Sequence, residues 1–354
     1  MSRSNAAESG GPSLTLVQRV DSREFRALGL RHGALNILTF GLHGFWARSE
    51  TRRRLWAATD MNGEALDYGG LGIELLIGAL AKLAVVGAAL AAAAVAVRGL
   101  GVWGAPVALA AAASVALFLG FCRFVGFVYL ATRTEWRGQV FELDGSSSAF
   151  ALGELRDAAI SVLTLGWWGP QADRRRDAAL WSGLRHPHRP AAYDAAAAAR
   201  RPLYSAFAIG WFASVMVALF AAGVLLGLAG YIPTPAAGTA PSLSELVALG
   251  ALGLASCLAL TAAWAPYRAA RRSATAAGLG LTLPIDRWAW TRLQTVNAGL
   301  RVASLGGLAP YAAARESAFV FSRLEEARRL SRRARAARHA GQVKFTPLEV
   351  QAGP

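Results

Sequence analysis

The chain has 354 residues, 54% hydrophobic and only 17% charged, with 37 Lys+Arg against 22 Asp+Glu and a formal charge of +15. Soluble domains carry about 25% charged residues, so this balance argues against an ordinary soluble enzyme. A soluble, basic nucleic-acid binder is excluded as well, because apolar runs of about 20 residues recur along the chain.

Met1 to Pro12 is polar and lacks the apolar core of a signal peptide, and residues 1–20 read as a disordered cytoplasmic N-terminus. A first short apolar stretch, Leu28–Leu42, precedes the basic run Arg52-Arg53-Arg54. As a helix it reaches about 22 Å, short of the roughly 30 Å hydrocarbon core. Two long runs follow, Leu75–Val97 and Val102–Leu130, completing a first unit over residues 21–131. A second unit, 132–268, repeats the plan: a short stretch, the basic run Arg174-Arg175-Arg176, and the long runs Leu203–Ile232 and Leu243–Tyr267. A partial third unit spans 269–325, and an arginine-rich tail occupies 326–354; the stretch from Arg315 onward reads as a membrane-surface helix.

The expected fold is therefore all-α: a polytopic integral membrane protein with four long transmembrane helices in two hairpins, plus three short interfacial or re-entrant helices. Seven crossings is the rival count. Orientation follows from where arginine is scarce. The connection 98–101 is very short and the connection 233–242 has no Lys or Arg, so both face outward and both termini face the cytoplasm. Trp103 and Tyr231 then fall at outer helix ends, and Tyr129, Tyr204, Trp264 and Tyr267 at inner ends, as an aromatic belt requires.

The short stretches resemble one another. Ser22–Trp56 laid on Ser147–Trp181 gives 12 identities in 35 positions without a gap, where composition alone gives roughly three or four. A weaker third copy places Ser304-Leu305-Gly306 on Thr39-Phe40-Gly41. Each copy carries a polar stripe at helical spacing: His32, Asn36 and Thr39; Asp157, Ser161 and Thr164; Asn297, Arg301 and Ser304. Either the stripes face water and headgroups from interfacial helices, or they converge on one polar cavity, with Arg301 suited to an anionic headgroup.

Lys82 is the one ionisable residue well inside the first long run. It either faces such a cavity or snorkels to the inner interface. Glu74 and Glu245 fit helix N-terminal caps, and Gly223 with Gly227 forms a G-x-x-x-G that permits close helix packing or a homo-oligomer. Arg54, Arg174, Arg175 and Arg176 are expected to meet anionic lipid headgroups. Cys122 and Cys257 lie in apolar runs, and His186-Pro-His188 lacks further ligands, so no metal or other cofactor is expected. No nucleophile, phosphate-loop or dinucleotide motif stands in the required context, so no enzyme is named.

Asn36-Ile-Leu-Thr-Phe-Gly-Leu-His-Gly-Phe-Trp-Ala-Arg, the following Thr51-Arg-Arg-Arg-Leu-Trp56, and Gly72-Ile-Glu-Leu-Leu-Ile-Gly78 resemble the YjgN-like bacterial inner-membrane family of unknown function, domain of unknown function 898. A second block resembling it is Arg133-Thr-Glu-Trp-Arg-Gly138. The matching positions include Gly41, Trp46, Arg52, Arg53, Glu74, Trp136 and Gly138. The second copy departs from the pattern with Gln171, and the third lacks the basic run. The resemblance implies a multi-pass inner-membrane protein and carries no activity or catalytic residue. The preferred function is binding or transport of a small or lipidic solute in a polar cavity between parallel repeats. The alternatives are a scaffold whose arginine-rich inner face binds anionic lipid, and a lipid-headgroup enzyme. Membrane lipids are the expected partners, nucleic acid is not.

Overall fold

A computed structural model describes residues 15–188, 192–228 and 242–325 of the chain. The polar segment before residue 15, Tyr231 with most of the 233–242 connection, and the tail from 326 lie outside the described residues.

The described chain is mostly helical. Three helical segments are long and apolar enough to cross a membrane: Gly72–Thr132, Tyr204–Gly227 and Leu243–Gly278. The first doubles back. α3 (Gly72–Leu100) and α4 (Ala105–Thr132) are joined by a single 3-10 turn, Gly101–Gly104. Gly101, at φ +55, takes the left-handed conformation that glycine tolerates best. At the opposite end of this pair the Tyr129 hydroxyl donates to Glu74 Oε2 at 2.8 Å. Glu74 also accepts from the Leu71 amide, as expected of a cap, and pairs with Arg133. α8 (Tyr204–Leu228) packs against α9 (Leu243–Gly278). The most apolar windows of the first and last segments bury no residue inside the protein.

Among the described residues three helix-turn-helix hairpins accompany these segments: α1–α2 (Ser22–Leu38, Gly44–Ala57), α5–α6 (Ser147–Leu163, Gly169–Gly183), and α10 (Arg287–Ala303) with α11 (residues 309–325). A further short helix, α7 (Ala195–Ala199), precedes α8. Each hairpin opens on a side-chain cap: Asp21, Ser146 or Asp286. Each turns through the same hydrogen bonds. The Thr39 hydroxyl donates to the Leu35 carbonyl at 2.8 Å and accepts the His43 amide at 2.9 Å. Thr164 does so with Ile160 and Trp168, and Ser304 with Leu300 and Leu308. After each hydroxyl residue come two residues of positive φ, Phe40-Gly41, Leu165-Gly166 and Leu305-Gly306. The tips are apolar and bare, with Phe40 98%, Leu165 78% and Leu305 72% exposed.

Short strands, which helical periodicity does not predict, tie the hairpins to the long helices. β1 (Leu16–Gln18), β2 (Thr59–Met61) and β3 (Glu64–Ala65) form one antiparallel sheet; β4 (Asp67–Tyr68), β5 (Thr134–Trp136) and β6 (Gln139–Val140) form a second; β7 (Glu142–Leu143) pairs with β8 (Leu184–Arg185). Two tight turns in this layer, Asn62-Gly63 and Arg137-Gly138, put both residues at positive φ, which places Gly138 where a glycine is favoured. Trp136 is buried beneath them, donating to the Met61 carbonyl at 3.1 Å.

Candidate functional site

The first and third hairpins are direct neighbours, although one opens the described chain and the other closes it. Phe25, Leu28 and Leu55 pack on Ala314, and the Ser317 hydroxyl donates to Gln18 at 2.6 Å. Residues 315–325 thus belong to α11, the packed second arm of the third hairpin, and the rest of the arginine-rich stretch lies outside the described residues. Small residues let the two hairpins approach: a Cβ on Gly33 would stand 2.9 Å from the Gly307 Cα.

Between these hairpins lies a cavity of about 560 Å³. His32 and Asn36 line it from α1, Arg48, Thr51 and Arg52 from α2, and Arg301 from α10. Two of the three polar stripes therefore meet here. His32 is 8% exposed, and its Nδ1 lies 2.8 Å from His43 Nε2. Its Nε2 and the Asn36 Oδ1 are buried and have no hydrogen-bond partner in the described protein. Unpaired buried polar atoms cost about 1–3 kcal/mol each, and both of these belong to residues that line the cavity, which makes it the candidate site. The His32 imidazole is held below its ordinary value, first by burial and then by the His43 ring.

The other stripe positions have internal roles. Thr39, Thr164 and Ser304 pin their turns. Asp157 is buried and holds the arms of the second hairpin together, taking Arg175 at 2.8 Å, Arg156 at 3.3 Å and the Trp168 indole at 3.2 Å. Ser161 donates to the Asp157 carbonyl. Asn297, fully buried, ties α10 to α11 through the Ala312 carbonyl and the Arg315 guanidinium. His32, Asp157 and Asn297 thus perform one task at one position, joining two arms of a hairpin. Lys82 does not reach the cavity; it is exposed on α3.

The expected lipid-facing arginines are matched within the protein. Arg54 pairs with Glu50 and Glu24, Arg175 with Asp157 and Arg176 with Glu154 and Asp173, while Arg174 donates to the Arg201 carbonyl. Asp173 and Asp177 of α6 together hold Arg271 of α9, at 3.1 and 2.7 Å. Of the signature residues, Trp46 lies against Gly72, which admits no Cβ, Arg52 donates to the Tyr68 hydroxyl, and Arg53 pairs with Glu50. Asp144 is bound by Arg185, apart from the Asp157 network. The His186 ring packs at a tilt against Trp136 and Phe141.

Sequence reasoning missed Arg48 at the cavity and His43 behind His32, and it missed a second, nearly all-apolar cavity of about 320 Å³ in the strand layer, lined by Trp56, Phe127, Trp136, Phe141 and Trp181 among others. A signal for both was present in the aligned copies. Arg48 and Arg52 fall on Asp173 and Asp177, a reversal of charge, and Trp56 falls on Trp181.

The profile of a family described as bacterial protein of unknown function (DUF898) matches residues 21–344. No curated protein and no solved structure matches the chain.

Proposed function

We propose, from the premise that this chain belongs to the DUF898 family of bacterial proteins, that it is a multi-pass inner-membrane protein holding a small or lipidic solute in the cavity between its first and third hairpins. The observation that carries this reading is the pair of unpartnered buried atoms, His32 Nε2 and Asn36 Oδ1, at a cavity of about 560 Å³. That volume lies within the range of small-molecule sites. The role is binding or passage of the solute rather than catalysis.

In this reading α3, α4, α8 and α9 cross the bilayer, and their bare apolar faces meet lipid. The three hairpins are copies of one unit in one orientation, which the matching turn hydrogen bonds support. All three stay at the cytoplasmic side with both termini, as the arginine distribution favours. Their apolar tips enter the inner leaflet. The Trp211 indole donates to the Leu165 carbonyl at 2.8 Å, which sets the second tip about 10 Å along α8 from its first residue.

Native mass spectrometry of the protein extracted directly from membranes tests the cavity. A retained species is expected, and Ala47→Trp, which fills the cavity from α2, is expected to displace it. A bare wild-type protein whose spectrum Ala47→Trp leaves unaltered would overturn the reading.

A further inference from the structure

Charge around the cavity is one-sided. Arg48, Arg52 and Arg301 line it, and among the described residues no carboxylate does. Their internal partners are weak. Arg48 has no hydrogen-bond or ion-pair partner among the described residues. Arg52 donates only to a neutral phenol, Tyr68, at 3.2 Å. Arg301 stands 3.9 Å from Glu316, whose other oxygen is held by Arg272.

The second hairpin shows what this arrangement lacks. At the positions aligned with Arg48 and Arg52 it carries Asp173 and Asp177, and these receive Arg271 from the neighbouring helix. There, carboxylates answer an incoming arginine. In the first hairpin, arginines answer Arg301, and three cations share a cavity with no anion. Like charges this close repel unless a counter-charge enters.

The buried wall adds directed donors. In the tautomer where His43 Nε2–H donates to His32 Nδ1, the proton of the His32 ring sits on its unpartnered Nε2, which a small movement of the wall would uncover as a donor for a ligand. A half-turn of the Asn36 amide likewise presents its NH₂ where Oδ1 now lies unpaired.

From these groups we infer that the cavity is an oxyanion site for a terminal phosphate group, with Arg48, Arg52 and Arg301 supplying charge and His32 and Asn36 supplying directed hydrogen bonds. The inference rests on the occupied cavity proposed above and names the chemistry of its occupant. Guanidinium forks match phosphate oxygens in pairs, which favours phosphate over a spherical anion such as chloride. A lipid phosphomonoester and free phosphate offer the same terminal oxygens.

Delipidated full-length protein in neutral detergent is titrated by calorimetry with inorganic phosphate, with a short-chain phosphatidic acid, and with chloride. Saturable binding of at least one phosphate source is expected, well tighter than chloride. Phosphatidic acid alone identifies a lipid headgroup; binding of inorganic phosphate shows that the free group suffices. Arg48→Gln and Arg301→Gln should each weaken binding about 10- to 100-fold, as loss of a charged hydrogen bond does. Arg48→Lys should restore part of it, and Arg174→Gln, outside the cavity, should change nothing. Thermal unfolding of each variant confirms that it is folded; Arg48 is exposed and should tolerate the change. Phosphate sources that bind no better than chloride, or binding that Arg48→Gln and Arg301→Gln both leave intact, would overturn the assignment. If Ala47→Trp displaces a retained species that contains no phosphate, the cavity stands and the oxyanion assignment alone falls. If nothing is retained and no phosphate binds, both fall.

Discussion

Gly33 of α1 and Gly307 of the third turn meet so closely that a methyl group on either would stand within 3 Å of the other's Cα, at 2.9 and 2.8 Å. Backbone faces backbone here, so no side chain can swing aside. Gly33→Val is therefore expected to separate the first and third hairpins at about 1–3 kcal/mol, the usual range for overpacking. A fall in the unfolding temperature of the purified protein checks this. Gly87→Ala, where an added Cβ meets nothing, is the control and should be neutral or slightly stabilising.

Glu154 is the buried charge on which the second hairpin depends. Its side chain is 5% exposed and is shared by Arg123 and Arg176. Arg176→Ala leaves the carboxylate facing only the half-exposed Arg123, and a loss of about 3–5 kcal/mol is expected. Pairing Arg176→Met with Glu154→Leu should recover much of that loss, because it removes both charges. Denaturant unfolding of the single and double variants decides it; a mild Arg176→Ala would show that water already reaches Glu154.

Acid should weaken the cavity wall through His32. Burial and His43 lower its affinity for a proton, with Arg31 and Arg54 acting the same way and Glu50 against them; Arg48, Arg52 and Arg301 also face the cavity. In the unfolded chain this imidazole takes up its proton near pH 6.5, whereas the folded one resists until lower pH. The unfolded state then binds more protons in that window, so stability falls as pH drops below about 6.5 and levels off below the folded value. His32→Gln should flatten that part of the curve. Equal slopes for wild type and variant between about pH 7.5 and 5 would refute the assignment.

The proposed orientation makes a plain labelling forecast. With Cys122 and Cys257 replaced by alanine, a cysteine at Val102, 83% exposed in the turn between α3 and α4, should react with an impermeant maleimide added to intact cells. A cysteine at Arg185, in the strand layer, should react only after the membrane is broken. Labelling of position 185 from outside would reverse or add a crossing.

Much of this architecture was legible in the residues. The four long runs correspond to α3, α4, α8 and α9, with Val102–Leu130 starting in the 3-10 turn and Leu203–Ile232 extending beyond the described end of α8; uninterrupted Leu, Val, Phe and Ala favour the helix, which satisfies its own backbone in an apolar setting. The turns inside the short stretches were not legible: Leu28–Leu42 reads as one helix, yet α1 ends at Leu38, because the C-cap hydroxyl of Thr39 and the glycine two residues on turn the chain back. The destination of the stripes was harder. Thr39 and His32 look alike as polar residues at helical spacing, yet one bonds its own backbone and the other borders a cavity made with a hairpin some 270 residues away. The strands escaped notice because two- and three-residue pairings leave almost no periodicity to read. The partners of the arginine runs went unread for a related reason: Glu154 and Asp157 lie on the other arm of the hairpin, while Asp173 stands three residues before Arg176 on the same helix.

The bond between Gln18 and Ser317 joins residues 299 positions apart. A ribosome must therefore release the chain past Ser317 before Phe25 and Leu28 meet Ala314, and until then the first hairpin waits half-dressed. A chain cut short before α11 would keep α3, α4, α8 and α9 yet lose one wall of the cavity, because Ala309, Pro310 and Ala313 line it.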